Sequence, residues 1–278
     1  MTAADPGPGR PGVRRGAGTD TDAGLSRDGF LGGRLAIWQP RAGYRAAIDP
    51  VLLAAFVPAA PGERVLDLGC GVGTAALCLG RRVAGLDLHG LEIQPAYAAL
   101  ARRNAAENGI ALAVHDGDVT RPPPALRAMS FDQVLMNPPF HAASSVPARD
   151  AGRDLAHREG AAGLAGWIDA GLRRLRPGGR LTVIHAPMRL GEILGALAGR
   201  AGDIDLLPVA PRNGLPARRI LVSARKRRGG ELRLWPVFTL HEDSSHNGRE
   251  SRYTRDASIV LREAGGLWQD GRVGVALT

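Results

Sequence analysis

The 278-residue sequence predicts an α/β fold: a mostly parallel sheet with helices on both faces and an antiparallel hairpin toward its C-terminal end. Three observations lead there. From residue 64 onward, short apolar runs alternate with longer helical patterns, which is how a parallel sheet with crossover helices reads in one dimension. The first of those runs leads straight into a glycine turn, Asp67-Leu68-Gly69-Cys70-Gly71-Val72-Gly73. Later, 203–209 and 218–225 are alternating or apolar runs with no helix-length segment between them, so they are expected to pair antiparallel.

The elements follow in order. Residues 1–28 are rich in Gly, Pro, Ala, Arg and Asp without periodicity. Such a segment buries too little apolar area to repay its chain entropy, so a disordered extension is expected, with order beginning near Phe30. Leu35 to Trp38 reads as a short strand. Asp49 is a good N-cap and Pro50 a good first helical residue, which predicts a helix over 50–57. After Pro61-Gly62, strands are expected at 64–68, 88–93, 110–114, 131–136 and 180–186. Helices are expected at 73–82, 95–108, 161–176 and 189–199. Leu232 to Leu240 suggests an edge strand and 254–264 a last helix. One domain over 29–264 with a tail at 265–278 is the resulting organisation, without internal repeats.

Composition narrows the function classes. An apolar fraction of 44% suffices for a packed core. No apolar run approaches the ~20 residues that span a bilayer, and no secretory apolar segment stands at the N-terminus. Cys70 and Cys78 do not make a disulfide framework and read as reduced thiols of a cytoplasmic protein. No membrane or metal partner is expected. The net charge of +9, pI near 10.9, favours a polyanionic partner such as RNA. Within it, Arg225-Lys226-Arg227-Arg228 reads equally as a phosphate contact or as a charged hairpin turn.

Two groups of residues carry chemistry. In the glycine turn, framed by Asp67 and Thr74, Gly69, Gly71 and Gly73 let the chain bend sharply and bring its backbone against a ligand. The second strand ends at Glu92, about 20 residues further on, where a carboxylate can accept both hydroxyls of a ribose. Asp118, after the third strand, can accept the exocyclic amine of an adenine. Each has a plainer reading, Glu92 as a solvated carboxylate at a helix start and Asp118 as a turn former. The spacing is Gly-x-Gly-x-Gly and not the Gly-x-Gly-x-x-Gly of dinucleotide folds, which leaves less room for a pyrophosphate.

The fourth strand delivers Asn137-Pro138-Pro139-Phe140 at its carboxyl end, where open α/β sheets bind ligands. The Asn137 side-chain oxygen and the Pro138 carbonyl can accept the two N–H bonds of a planar amine, favouring a pyramidal nitrogen with its lone pair turned outward. The prolines fix φ and so hold that carbonyl, and Phe140 offers a face for stacking. The plainer reading is a Pro-Pro strand terminator.

The glycine turn resembles that of class I S-adenosylmethionine-dependent methyltransferases, and the four-residue motif that of the amino-methyltransferases with Asn-Pro-Pro-aromatic. The chain looks most similar to the bacterial tRNA1(Val) adenine-N6-methyltransferase family, from about residue 30 to 264. Its carriers include Leu31-Gly-Gly-Arg34, Gln39-Pro40, Gly43-Tyr-Arg45, Asp49-Pro-Val-Leu-Leu-Ala-Ala55, Met136 to His141, Leu240-His-Glu242 and Tyr253-Thr254. The resemblance implies a Rossmann-like methyltransferase sheet and S-adenosylmethionine as cofactor. It implies a cofactor set of Asp49, Asp67, Gly69, Gly71, Gly73, Glu92, Asp118 and Asn137, and a catalytic set of Asn137, Pro138, Pro139 and Phe140. The substrate it implies is an adenine N6 in a tRNA anticodon loop, next to the anticodon. A release-factor glutamine or an rRNA guanine N2 are the alternatives, and a non-catalytic RNA-binding module is a third class. The stretch between Glu242 and Tyr253 is longer than the resemblance leads one to expect.

Overall fold

Among the described residues the first strands form an antiparallel hairpin, β1 (Leu25–Phe30) against β2 (Leu35–Pro40). The computed structural model describes residues 22, 24–43, 45–139, 163–227, 229–242, 252–269 and 272–276. Tyr44, Phe140, His141 and Arg228 therefore lie outside the described residues, as do most of the expected extension and the stretch 243–251. Order reaches back to Leu25, inside the segment expected to lack it. Apolar periodicity does not announce β1 because polar pairing holds it. The Asp28 carboxylate accepts from Ser26, Gln39 and Arg45, and Arg27 pairs with Glu107.

Next come α1 (Asp49–Phe56), β3 (Arg64–Leu68), α2 (Thr74–Arg82), β4 (Asp87–Glu92), α3 (Pro95–Asn108), β5 (Ala113–Asp116), the single turn α4 (Pro124–Arg127) and β6 (Phe131–Met136). Then follow α5 (Gly163–Arg174), β7 (Leu175–His185), α6 (Leu190–Leu197), β8 (Ala201–Ala210) and β9 (Arg219–Lys226). The chain closes with β10 (Leu232–Leu234), β11 (Phe238–Thr239), α7 (Arg255–Arg262), β12 (Gly266–Gln269) and β13 (Arg272–Ala276). No helix among the described residues is long and apolar enough to cross a membrane.

The main sheet runs β10-β8-β9-β7-β6-β3-β4-β5, with β11 also pairing β8. Strands β3 to β7 are mutually parallel where they pair, and β9 enters antiparallel between β7 and β8. The expected hairpin is thus present. Each face carries its own core. Leu52, Leu53 and Phe56 of α1 join Leu77 and Leu79 of α2 on one, and Leu126, Leu164, Ile168, Leu172, Ile193 and Leu197 pack together on the other. Helix α1 is apolar from Pro50 to Phe56 and buried along that whole length, as an all-round apolar helix must be.

Three boundaries differ from expectation. Strand β5 starts at Ala113 because Ile110 and Leu112 pack side-on against the core before pairing begins at His89–Ala113. Strand β7 starts at Leu175, directly off α5, and its register slips across 176–179 opposite Phe131 and Gln133. The expected tail is a hairpin: Trp268 of β12 stacks on Phe56 at 5.3 Å, and its indole N–H donates to the Phe56 carbonyl at 2.7 Å. Helix α7 is capped as its sequence suggests, Thr254 Oγ1 accepting from Ala257 N.

The order of strands sets up the site. From β3 the chain adds β4 and β5 on one side, then returns to lay β6 on the other side of β3. Ligands of open α/β sheets bind in the crevice at such a reversal. Leu68 and Met136 are register partners, so Gly69 and Asn137 leave the sheet side by side.

Candidate active site

The glycine turn is anchored on neighbouring strands before any ligand is considered. The N–H groups of Gly69 and Cys70 both donate to Leu91 O, at 2.8 and 3.0 Å. Gly69, Gly71 and Gly73 all have positive φ. At Gly69 a side chain has no space, because a Cβ would fall 2.5 Å from the Trp167 ring. At Gly71 nothing lies within 4 Å of that position, so here the backbone faces open space. One glycine admits a packing partner and the other leaves room for a ligand.

Both expected carboxylates belong to this turn. Asp67 is only 3% exposed, and its Oδ2 accepts from Ala76 N in the first turn of α2 at 3.1 Å. Burial pushes it up to about 7, against the pull of the Ala76 N–H and helped by the charge of Glu92. Glu92 is 6% exposed and accepts from Gly71 N at 2.9 Å with one oxygen and from Gln94 N at 2.8 Å with the other. Burial raises it too, opposed by those backbone donors. The reading of Glu92 as a solvated carboxylate is thereby excluded, while the carboxylate keeps acceptor capacity for a hydroxyl donor. Ile93, next to it, is 51% exposed, an apolar group left beside a polar ribose-sized acceptor.

Asp118 follows β5 at the same end of the sheet, and Gly117 N donates to Glu92 O. Its Oδ1 accepts from Thr120 N and Oγ1, so the turn-forming role is present. Asp49 is not the cap of α1, whose N-cap is Ile48, but a first-turn residue that pairs with Arg219 at 2.8 Å. Cys70 and Cys78 are buried free thiols, Cys78 pushed up to about 12 by burial, which makes thiolate chemistry unfavourable.

Asn137-Pro138-Pro139 leaves β6 beside this turn, and Phe140 lies outside the described residues. Sequence reasoning missed the residue that holds the motif from below. His185, the last residue of β7, is fully buried. Ala186 N donates to its Nδ1 at 2.8 Å, so the ring proton of the neutral form sits on Nε2 and points at Pro139 O, 3.3 Å away. Only the β6–β7 pairing brings it there, and no local pattern signals it. Trp167 was missed as well, since a tryptophan in an amphipathic helix reads as core. Its ring lies against Gly69, and its buried indole N–H and the buried Thr74 hydroxyl have no partner among the described residues.

The arginine run of the β9 end lies elsewhere. Arg225 is the register partner of Arg180, at the opposite end of β7 from His185. Its guanidinium is occupied by Asp203 and Gly178 O, and Lys226 donates to Leu175 O. Arg225 to Arg227 therefore do not flank the Asn137 corner.

The family model of the methyltransferase small domain matches residues 47–196. A tRNA1(Val) (adenine(37)-N6)-methyltransferase of Yersinia pestis is 28% identical over 213 residues, covering 74% of this chain and 84% of that protein. A predicted O-methyltransferase of Agrobacterium tumefaciens superposes with a TM-score of 0.61 at 27% identity, over 76% of this chain and 94% of the other. A 16S rRNA N2 methyltransferase of T. thermophilus, solved with AdoMet and guanosine, shares the fold at a TM-score of 0.52 and 21% identity, over 73% of this chain and 50% of its own.

Proposed function

The chain belongs to the methyltransferase small-domain family, and from that premise we propose that it methylates the exocyclic N6 of an adenine in a tRNA anticodon loop, next to the anticodon. Its cofactor is S-adenosylmethionine. The observation that carries the reading is the Leu68–Met136 register, which sets the glycine turn and Asn137-Pro138-Pro139 at one crevice. The Yersinia relative, a tRNA1(Val) adenine-N6 enzyme by name, supports the choice of substrate.

The residues fit the cofactor by three features of the site. Gly71 leaves open space, Thr74 Oγ1 is a buried hydroxyl without a partner among the described residues, and Ile93 is exposed beside Glu92. In this reading the glycine turn of Gly69, Gly71 and Gly73 lies against the amino-acid portion, and Asp67 shapes that turn from beneath. Glu92 accepts the ribose hydroxyls, Ile93 covers one face of the adenine, and the second oxygen of Asp118 accepts its amine. Asp49, on α1, helps hold the methionine end. When bound, the cofactor supplies an electrophilic methyl group on a sulfonium.

The chain's own contribution is to prepare the nitrogen. The amine of a nucleobase is planar because its lone pair is delocalised. The Asn137 side-chain oxygen and the Pro138 carbonyl accept its two N–H bonds and so favour the pyramidal form, a stabilisation realised mainly in the transition state. His185 holds the Pro139 carbonyl from below, which fixes the turn that presents Pro138. Phe140 stacks on the base. The nitrogen becomes acidic once methylated and its proton leaves to water, so no tuned general base is required.

The test is methyl transfer from labelled S-adenosylmethionine to an unmodified tRNA transcript, to ribosomal RNA and to a release factor at one salt concentration. Label on tRNA adenine supports the reading. Label on the release factor alone replaces it with glutamine modification.

A further inference from the structure

The RNA reading leaves open which surface holds the phosphates. The sequence offers two arginine groups, one at each end of β9. That strand is eight residues long, so its ends stand roughly 23 Å apart at ~3.3 Å per residue. The end with Arg225 and Lys226 is turned away from the catalytic crevice, and both side chains are committed there to Asp203, Gly178 and Leu175.

The other end belongs to the crevice. Ile220 is the register partner of His185, which touches Pro139. The turn 211–218 between β8 and β9 therefore rises at the same rim as Asn137. Arg218 is exposed on that turn, and its side chain has no ion pair or hydrogen bond among the described residues. Beside it, Arg219 reaches Asp49 and Arg189 reaches Glu192, so those carboxylates are already answered. The rim also carries exposed apolar groups, Met188 at 88% and Leu215 at 49%. A guanidinium without a partner among the described residues, on a rim that also exposes apolar side chains, suits a nucleic acid strand, whose phosphates take the charge and whose bases take the apolar contact.

We propose that the β8–β9 turn, with Arg218 where it re-enters β9 and with Met188 and Leu215 exposed at the same end of the sheet, is the surface that grips the RNA backbone next to the base in the Asn137 corner. This rests on the RNA reading. A base entering that corner must leave its stack, and the phosphates on either side of it remain at the rim. Arg218 then supplies position and affinity, not base choice.

The experiment measures binding of an unmodified tRNA1(Val) transcript over a range of salt concentrations for wild type, Arg218→Ala and Arg227→Ala. Thermal melting with S-adenosylmethionine checks that each variant folds and keeps its cofactor site. Loss of one phosphate contact flattens the plot of log affinity against log salt by about 0.7 to 0.9. Arg218→Ala is expected to show that loss and a several-fold weaker affinity at low salt, with Arg227→Ala matching wild type. An unchanged slope in Arg218→Ala, or an equal loss in Arg227→Ala, overturns the proposal. If the wild type neither binds the transcript nor methylates it while a release factor accepts the methyl group, the RNA reading itself fails and the surface goes with it.

Discussion

In the proposed reaction the chemistry at Asn137 depends on one oxygen atom accepting a hydrogen bond that strengthens as the nitrogen becomes pyramidal. Asn137→Ala is therefore expected to bind S-adenosylmethionine within several-fold of wild type and to lose roughly 3 kcal/mol of transition-state stabilisation, on the order of a hundredfold in turnover. Calorimetric binding beside single-turnover rates separates the two effects. His185 acts on the same atoms through Pro139, so His185→Gln should lower turnover while leaving cofactor affinity unchanged. An equal loss in both quantities would make it merely structural. Asp67 has a different signature. Its folded value of about 7 stands above the ordinary 3.8, so the native state holds a proton that the unfolded chain has released. Stability from this group accordingly falls as pH rises from about 4 to 7, then levels off. Asp67→Asn should gain in melting temperature relative to wild type between pH 5 and pH 8, and a constant difference across that range would remove the assigned burial effect. That Asn137 and the glycines leave neighbouring strands at one end of the sheet was legible from their chain order. The burial of Asp67 and Glu92 was not, because it comes from strands and a helix that converge only in three dimensions.

Among the elements, β12 and β13 show where one-dimensional reading stops. Leu267 and Trp268 stand in a short glycine-flanked stretch that reads as tail, yet Leu267 is buried and Trp268 covers Phe56. The pairing partner of that aromatic pair lies more than two hundred residues away, beyond any local pattern. Trp268→Ala should cost about 3 kcal/mol, the lower end of the range for large aromatic truncations because the ring is only half-buried. Denaturant titration measures it, and a change within 0.5 kcal/mol, the size of an ordinary surface effect, would show the hairpin to be dispensable. Strand β1 was missed for a related reason, since its polar residues are satisfied by Gln39, Arg45 and Glu107 from other segments. The parallel strands, by contrast, are apolar runs bounded by turn residues, and they lie within three residues of the sequence reading except where β7 begins early at Leu175.

For the whole molecule, the reversal of strand order at β3 brings the glycine turn and the Asn137-Pro138-Pro139 turn to one crevice, the proposed cofactor and substrate halves. That both halves are needed was legible from their order in the chain. The end of the sheet to which the RNA contact is assigned was not, because the sign of a charge run says nothing about the end of the sheet on which it lands. Arg225 to Arg227 and Arg218 to Arg219 look alike in sequence and fall at opposite ends of one strand. In the proposed function the Asn137 corner writes N6-methyladenine into tRNA. The most direct measurement is mass spectrometry of nucleosides from the tRNA of a deletion strain, complemented with wild type or with Asn137→Ala. N6-methyladenine is expected to be lost from tRNA on deletion, restored by wild type and not restored by Asn137→Ala. Unchanged N6-methyladenine in the deletion strain, or its full restoration by Asn137→Ala, would contradict the proposed function.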